Sequence, residues 1–293
     1  MALEIKAYIV NAFTKDGFGG SPTGVVLDAI GLSEEAMQFI ASNLPVSHTA
    51  FVFEAKKENV KVRFFTPSGE ILNCGHGTIA AHYTRAIVDN YSESCMFMQE
   101  ARDGLQQVEV IKKGKEFEVY LRQNEIQFTT TPSPTLDSLL NIFSLKPSDL
   151  AVKYPVITAS PGSERFLLGL KSSELVNILR PDFDKLKNLC SATKSIGCFA
   201  YSIDKPNEWE ATARMFAPLI GVNEDIINGN SSGCLGVYLA LLSGRSDVNL
   251  LVNQGQKFNQ NGIVRVKVKK AGEHSWATIG GSAKVQRQVI LSV

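Results

Sequence analysis

Excess charge of either sign is missing from this chain: 30 basic residues stand against 29 acidic ones, a net charge of +1. There is no basic tail and no arginine-rich stripe. Features of that kind neutralise a phosphate backbone, so charge argues against a nucleic-acid partner and none is expected. Long hydrophobic runs are also missing. No segment approaches the ~18 uninterrupted apolar residues of a membrane span, so no membrane partner is expected. The opening MALEIKAYIVNAF has no basic region followed by a long apolar one and reads as a first strand, not a signal peptide. Cysteine is sparse: Cys74, Cys95, Cys190, Cys198 and Cys234 are odd in number, scattered, and form no CxxC pair. That excludes a disulfide framework and fits the reducing cytoplasm.

What is present is ordinary globular material: 293 residues, 44% apolar and 20% charged, enough for one large domain or two smaller ones. Strand-like and helix-like runs alternate. EIKAYIVNAF and GVVLDA read as strands around the turn KDGFGGSPT, and Ser33 caps a helix in LSEEAMQFIASNL. HTAFVFEA and VKVRFFT read as strands joined by the charged turn KKEN. GTIAAHYTRAIVDNY reads as a helix, and 95–130 as strand-rich. FTTTPSPTL, at 128–136, reads as a connection. Helices DSLLNIFSL, DFDKLKNLCSA and CLGVYLALLSG follow, with strands YPVITAS, ERFLLGL, 197–203, 210–216, IVRVKVKK, HSWATIGG and AKVQRQVIL. The expected halves are 1–127 with 281–293, and 128–280.

One internal echo organises these runs. VRFFTPSGEILNCGHGTIAAHY in the first half is answered by ARMFAPLIGVNEDIINGNSSGCLGVYLAL in the second. Arg63, Phe65 and Pro67 match Arg214, Phe216 and Pro218. Each set leads through a loop, three residues longer in the second copy, to a glycine motif and an apolar helix. Matched order, residue type and following helix point to two similar halves.

A helix N-terminus carries unpaired N–H groups and partial positive charge, and glycine lets a ligand come close to them. Two such motifs, NCGHG and INGNS, suit a small carboxylate and negative charge forming beside it. The candidate backbone is Gly75–His76 and Gly229–Asn230. Against this stands the bland possibility of two ordinary helix starts. A zinc site is disfavoured, because Cys74 and His76 are too close together with too few partners for the usual ligand spacing. No third group identifies Cys74 as a nucleophile with His76 as its base. His82 and His274 read as surface or satisfied-core histidines.

Together these motifs resemble the phenazine-biosynthesis PhzF-like isomerases, which share a fold with diaminopimelate epimerase. VNAFTKDGFGGSPTGVVLDA, SHTAFVF, RFFTPSGEILNCGHGTIAAHY and GVNEDIINGNSSGCLGVYL carry the likeness over nearly the whole chain. The resemblance implies an α/β (α+β) fold of two pseudo-symmetric halves. Each half is a twisted, mostly antiparallel sheet wrapped round a central helix, with the active-site cleft between them. It implies acid–base chemistry with no cofactor and no metal, and a homodimer. Carried over position by position, the family's histidine falls on His76 and its second-half aspartate on Asp225. Its proton-transferring glutamate falls on His48. Its early substrate-contacting Asn falls on Ser21, and the Thr of its second glycine motif on Asn228. A late Gly-Arg pair falls on Asn259 and Gln260. The departures thus sit at polar positions that face the family's cleft. Cys74 occupies one epimerase cysteine position while Asn228 occupies the other, so a two-cysteine mechanism does not carry over, and Cys234 is expected in the core.

Two functions follow. The favoured one is a cofactor-independent isomerase or epimerase of a small carboxylated metabolite. His48, Asp225 and His76 are its expected catalytic residues; Ser21, Cys74, Gly75, Asn228, Gly229 and Asn230 are its expected substrate-binding residues. The other is a catalytically silent relative that binds a metabolite or protein partner at the same place. Imidazole, with an ordinary pKa of ~6.5, can exchange a proton near neutrality where glutamate, at ~4.3, needs help from burial.

Overall fold

Strand pairing repeats in the two parts of the chain. The structure is a computed structural model that describes residues 3–53, 59–205, 209–271 and 274–293. It divides into two units, Met1–Arg122 with Gly280–Val293, and Gln123–Ile279. In the first, β1 (Glu4–Thr14) is antiparallel to β2 (Ser21–Val26), and α1 (Glu34–Asn43) leads to β3 (Thr49–Val52), parallel to β2. Next, β4 (Asn59–Thr66) is antiparallel to β3 and turns into the short β5 (Gly69–Ile71). After α2 (Gly75–Val88) the chain returns as β6 (Cys95–Ala101), parallel to β4. β7 (Gly104–Lys113) and β8 (Glu116–Arg122) complete an antiparallel meander.

The second unit starts with β9 (Gln127–Thr130) and α3 (Ser133–Ile142), then repeats the sequence of orientations. β10 (Ile157–Ser160) is antiparallel to β11 (Glu164–Gly169), with α4 (Ser173–Ile178) and α5 (Phe183–Thr193) after it. β12 (Ser195–Lys205) is parallel to β11, and β13 (Glu210–Ala217) is antiparallel to β12. β14 (Val222–Asp225) precedes α6 (Gly229–Ser243); β15 (Asp247–Gln254) is then parallel to β13, and β16 (Gly262–Ala271) antiparallel to β15. Finally β17 (His274–Ser292) pairs through its second half with β1.

Each unit wraps its sheet about one helix. α2 packs on β1, β2, β3 and β8, and α6 on β15, β16 and β11. A helix covered on every side must be apolar on every side; α6 is buried continuously from Ser231 to Ala240. Close approach to the sheet requires glycine at matching places. A Cβ on Gly77 would lie 2.8 Å from the Phe64 ring, and one on Gly236 would lie 2.7 Å from Val266.

The repeated Arg-x-Phe motif does the same structural work twice. Arg63 Nε and Nη2 donate to Glu70 at 2.7 and 2.9 Å, and its guanidinium lies over the Phe65 ring. Arg214 Nε and Nη2 donate to Glu224 at 2.7 and 2.8 Å, over the Phe216 ring. The longer second loop carries the glutamate farther along the chain and still returns it to its arginine. The motif marks the strand that leads to each central helix.

Three sequence readings change. FTTTPSPTL is no bare connection: Gln127–Thr130 is a strand paired with β10, and Ser133–Ile142 a helix, since proline in a first turn costs no hydrogen bond. HSWATIGG and AKVQRQVIL are one strand, continuous through Gly280 and Gly281. The strand Asp247–Gln254, with its alternating burial, is absent from the sequence reading although DVNLLVNQ carries the period. Of the turn KKEN, 56–58 lie outside the described residues, as does the side chain of His274. Ser33 caps α1 as expected, its Oγ accepting from Ala36 N at 3.2 Å.

His82 belongs to the core. It is 1% exposed, its Nε2 donates to Gln99 Oε1 at 3.2 Å, and Nδ1 has no partner among the described residues. Burial, reinforced by the Arg85 charge, pushes its pKa down to about 3. The imidazole is therefore neutral in the fold, while the unfolded chain takes up a proton near ~6.5. Its contribution to stability is complete above that value and is lost as pH falls from ~6.5 toward about 3. Between pH 7 and 5, urea unfolding should show the wild type losing about 2 kcal/mol more than His82→Leu. Parallel losses in both proteins would show that His82 is not the group responsible.

Candidate active site

In the first unit the folding of three local pieces brings His48, Cys74 and His76 together. His48 ends the loop before β3, and its carbonyl accepts from Gly24 N at 2.9 Å, which ties the loop to β2. Cys74 is the N-cap of α2; its Sγ accepts from Gly77 N at 3.3 Å. His76 lies in the first turn of the same helix and is 6% exposed. The two imidazole rings meet edge to face, centroids 4.4 Å apart at 81°. One ligating atom from each of His48, Cys74 and His76 lies within 4.8 Å of the others. Ser47 Oγ lies 2.9 Å from His48 Nδ1, within hydrogen-bond distance.

The two histidines differ in setting. His48 is half-buried beside an exposed serine, whereas His76 is enclosed. Burial pulls the pKa of His76 down to about 4, so its ring is neutral at neutral pH. Its Nε2 is buried without a hydrogen-bond partner among the described residues. The amides of Gly75 and His76, at the first two helical positions, have no acceptor within α2. The site therefore offers one accessible imidazole, one neutral enclosed imidazole, a thiol and a helix N-terminus that favours negative charge.

The second unit carries its own cluster at the start of α6. Asn228 caps that helix as Cys74 caps α2: its Oδ1 accepts from Ser231 N at 2.8 Å. Its Nδ2 donates to Asp225 Oδ2 at 3.0 Å, which joins the end of β14 to the cap. The Gln254 side chain bonds both the amide and the carbonyl of Asn228. Gly229 and Asn230 open the helix, and Gln123 Nε2 donates to the carbonyl and to Oδ1 of Asn230 at 3.3 and 3.0 Å. Ser21 opens β2 in the first unit and is 2% exposed. The residues expected to act thus divide: His48, Cys74, Gly75 and His76 are gathered in one unit, and Asp225, Asn228, Gly229 and Asn230 in the other. Cys234 is wholly buried in α6, as expected.

Two residues at the second cluster escaped the sequence reading. Gln123 gives no signal, being one glutamine at a strand end. Arg165 gives a weak one, a charge beside Glu164 at the head of the apolar strand ERFLLGL. It is 2% exposed, its Nη1 donates to Ser231 Oγ at 3.3 Å, and its Nη2 to the Ser163 carbonyl at 2.7 Å. No carboxylate bonds it among the described residues, and burial lowers its pKa. A buried guanidinium without a counter-charge at a helix N-terminus suits an anion.

Comparison with known proteins concerns the family and the fold. The family model described as phenazine biosynthesis-like protein, PhzC-PhzF, matches residues 10–288. An uncharacterized isomerase of Clostridium acetobutylicum is 35% identical over 277 residues, 92% of this chain and 91% of the relative. The crystal structure of a PhzF-family phenazine biosynthesis protein from Bacillus anthracis superposes with a TM-score of 0.89 at 26% identity, covering 99% of this chain and 100% of that one. A probable proline racemase from Agrobacterium radiobacter, with bound carbonate, shares the fold at a TM-score of 0.65 and 10% identity, covering 97% of this chain and 92% of its own.

Proposed function

The chain belongs to the PhzC-PhzF family of phenazine biosynthesis-like proteins, and on that premise we propose that it is a cofactor-independent isomerase or epimerase of a small carboxylated metabolite. The family and its isomerase relatives support a general isomerase role. The observation that carries the finer reading is the His48–His76 pair, 4.4 Å between ring centroids at the start of α2. His48 takes a proton from the carbon beside the substrate carboxylate and returns it to the isomerised carbon skeleton. A C–H bond breaks and an N–H bond forms, then the reverse, so atoms and charge balance with no co-reactant. His76, neutral and enclosed, donates a hydrogen bond to the charge that develops. The amides of Gly75–His76 hold an anion in the first unit, and those of Gly229–Asn230 with Arg165 hold one in the second. A sulfate or carboxylate located crystallographically at these amides would support the assignment; density only elsewhere would remove it.

Solvent-deuterium exchange into a panel of small amino and hydroxy acids tests the chemistry. Stereospecific exchange into any of them supports an isomerase; tight binding with no exchange favours the silent relative. Asp225 is proposed as a functional carboxylate. Asp225→Asn should lower turnover at least about 10-fold while costing no more than about 1 kcal/mol of stability, because Asn can still meet Asn228. Equal loss in both measurements would identify a purely structural residue.

The wider setting belongs to the same proposal. The five free cysteines support a reducing, cytoplasmic location, and no helix among the described residues is long and apolar enough to cross a membrane. A homodimer is expected from the family resemblance, and light scattering that gives a monomer at micromolar concentration would remove it.

A further inference from the structure

We propose that His48, Cys74 and His76 form a binding site for a thiophilic divalent cation, zinc by chemistry, with three protein ligands and a fourth position open. The sequence argued against zinc because Cys74 and His76 stand two residues apart with too few partners for the usual ligand spacing. The fold supplies that partner from a different element, the loop before β3. One donor atom from each side chain lies within 4.8 Å of the other two. Around tetrahedral zinc, with Zn–N of about 2.0–2.1 Å and Zn–S of about 2.3 Å, such donors stand roughly 3.3–3.7 Å apart. The half-buried His48 ring can close that difference by rotating about its side-chain bonds.

Three further observations fit an ion. The donors are two imidazoles and one thiol with no carboxylate among them, a set that selects zinc and similar borderline or soft cations over magnesium or calcium. His76 Nε2 is a buried nitrogen that no group satisfies among the described residues, and His76 is 6% exposed. Buried polar atoms left so are rare and call for a partner. Ser47 Oγ at 2.9 Å from His48 Nδ1 orients the ring as outer-shell groups orient metal-binding histidines. Three protein ligands with one position open are also the composition of zinc sites that admit a small molecule.

The site uses the same side chains as the proposed proton transfer, with a clear consequence. An imidazole whose lone pair is bound to zinc cannot take a proton. Zinc therefore switches off exchange, and a chelator restores it.

The test is zinc titration of tag-free, chelator-stripped protein in competition with a colorimetric chelator, with cobalt(II) spectra as a second readout. The expected result is one equivalent bound with sub-micromolar affinity, and a cobalt spectrum showing thiolate charge transfer and the strong visible bands of a four-coordinate site. His48→Gln and Cys74→Ala should each weaken binding more than about 100-fold, beyond the 10–100-fold that loss of an outer-shell partner costs. Cys95→Ala, which removes the partly exposed thiol outside the trio, should change nothing. Cys74→Ala also removes a helix cap, so its fold is checked by circular dichroism; His48→Gln leaves the cap in place and keeps the test decisive. Sub-stoichiometric or only micromolar-to-millimolar binding overturns the site, as does binding that survives His48→Gln or is lost in Cys95→Ala. Binding is read without substrate and exchange is read in chelator, so the two proposals fail separately. Zinc binding with no exchange sinks the isomerase reading alone, and exchange with no zinc binding sinks the metal site alone.

Discussion

His48→Gln should abolish solvent-deuterium exchange, a loss of about 10²–10⁴-fold, while ligand binding stays close to wild type. Glutamine keeps the length and polarity of a side chain at that place but cannot accept and return a proton. The site tolerates the change structurally: His48 is half-buried at the end of a loop, and the bond that ties the loop to β2 is made by its backbone carbonyl. Substitution at such a half-buried position costs about 1 kcal/mol of stability, so lost exchange with intact folding isolates the chemistry. His48→Glu places a carboxylate where the family resemblance puts one, and is expected to regain part of the exchange lost in His48→Gln. Wild-type exchange in His48→Gln would hand the role of base to Cys74 or Asp225.

The largest stability effect is expected at Arg214. Its guanidinium is 5% exposed and engages on every side: two bonds to Glu224, and Nη1 donating to the carbonyls of Val176, Asn177 and Leu179 at 3.0, 3.1 and 2.9 Å. Those carbonyls lie at the end of α4 and its C-cap, so one side chain ties two strands to a helix terminus. Arg214→Met leaves the enclosed Glu224 carboxylate without its counter-charge and takes the side-chain donor from the Asn177 and Leu179 carbonyls, while Val176 keeps the Leu179 amide. Removing one partner of a buried pair costs about 3–5 kcal/mol. Arg63→Met, at the matching place in the first unit, should cost only about 1–2 kcal/mol. Arg63 is more exposed, and Glu70 keeps Arg102 at 3.1 Å. Denaturant unfolding of the two variants reads the difference directly. Equal costs would mean that the buried arginine's extra bonds contribute nothing.

By itself the sequence determined the two-part plan. Arg63, Phe65 and Pro67 recur as Arg214, Phe216 and Pro218, and a glycine helix start follows each. Hydrophobic period and cap residues are local properties, so they stand in the one-dimensional pattern: Ser33 caps α1, and the apolar run after Gly229 becomes the buried α6. The family motifs likewise single out His48, His76 and Asp225 as the residues proposed to act. What only tertiary structure decided is which side chains meet. His48 and Cys74 are separated by the three strands β3, β4 and β5, and their proximity depends on β3 pairing with β2 and on α2 seating against both. No spacing rule encodes that distance, and so the sequence showed Cys74 and His76 as an incomplete pair where the fold gathers three donors. Arg165 was hidden for the same reason: burial of its charge beside Ser231 comes from a strand packing under a helix far along the chain. Asn228, expected at the substrate, is seen as the cap of α6, because a side chain's hydrogen-bond partners are set by the backbone that arrives beside it.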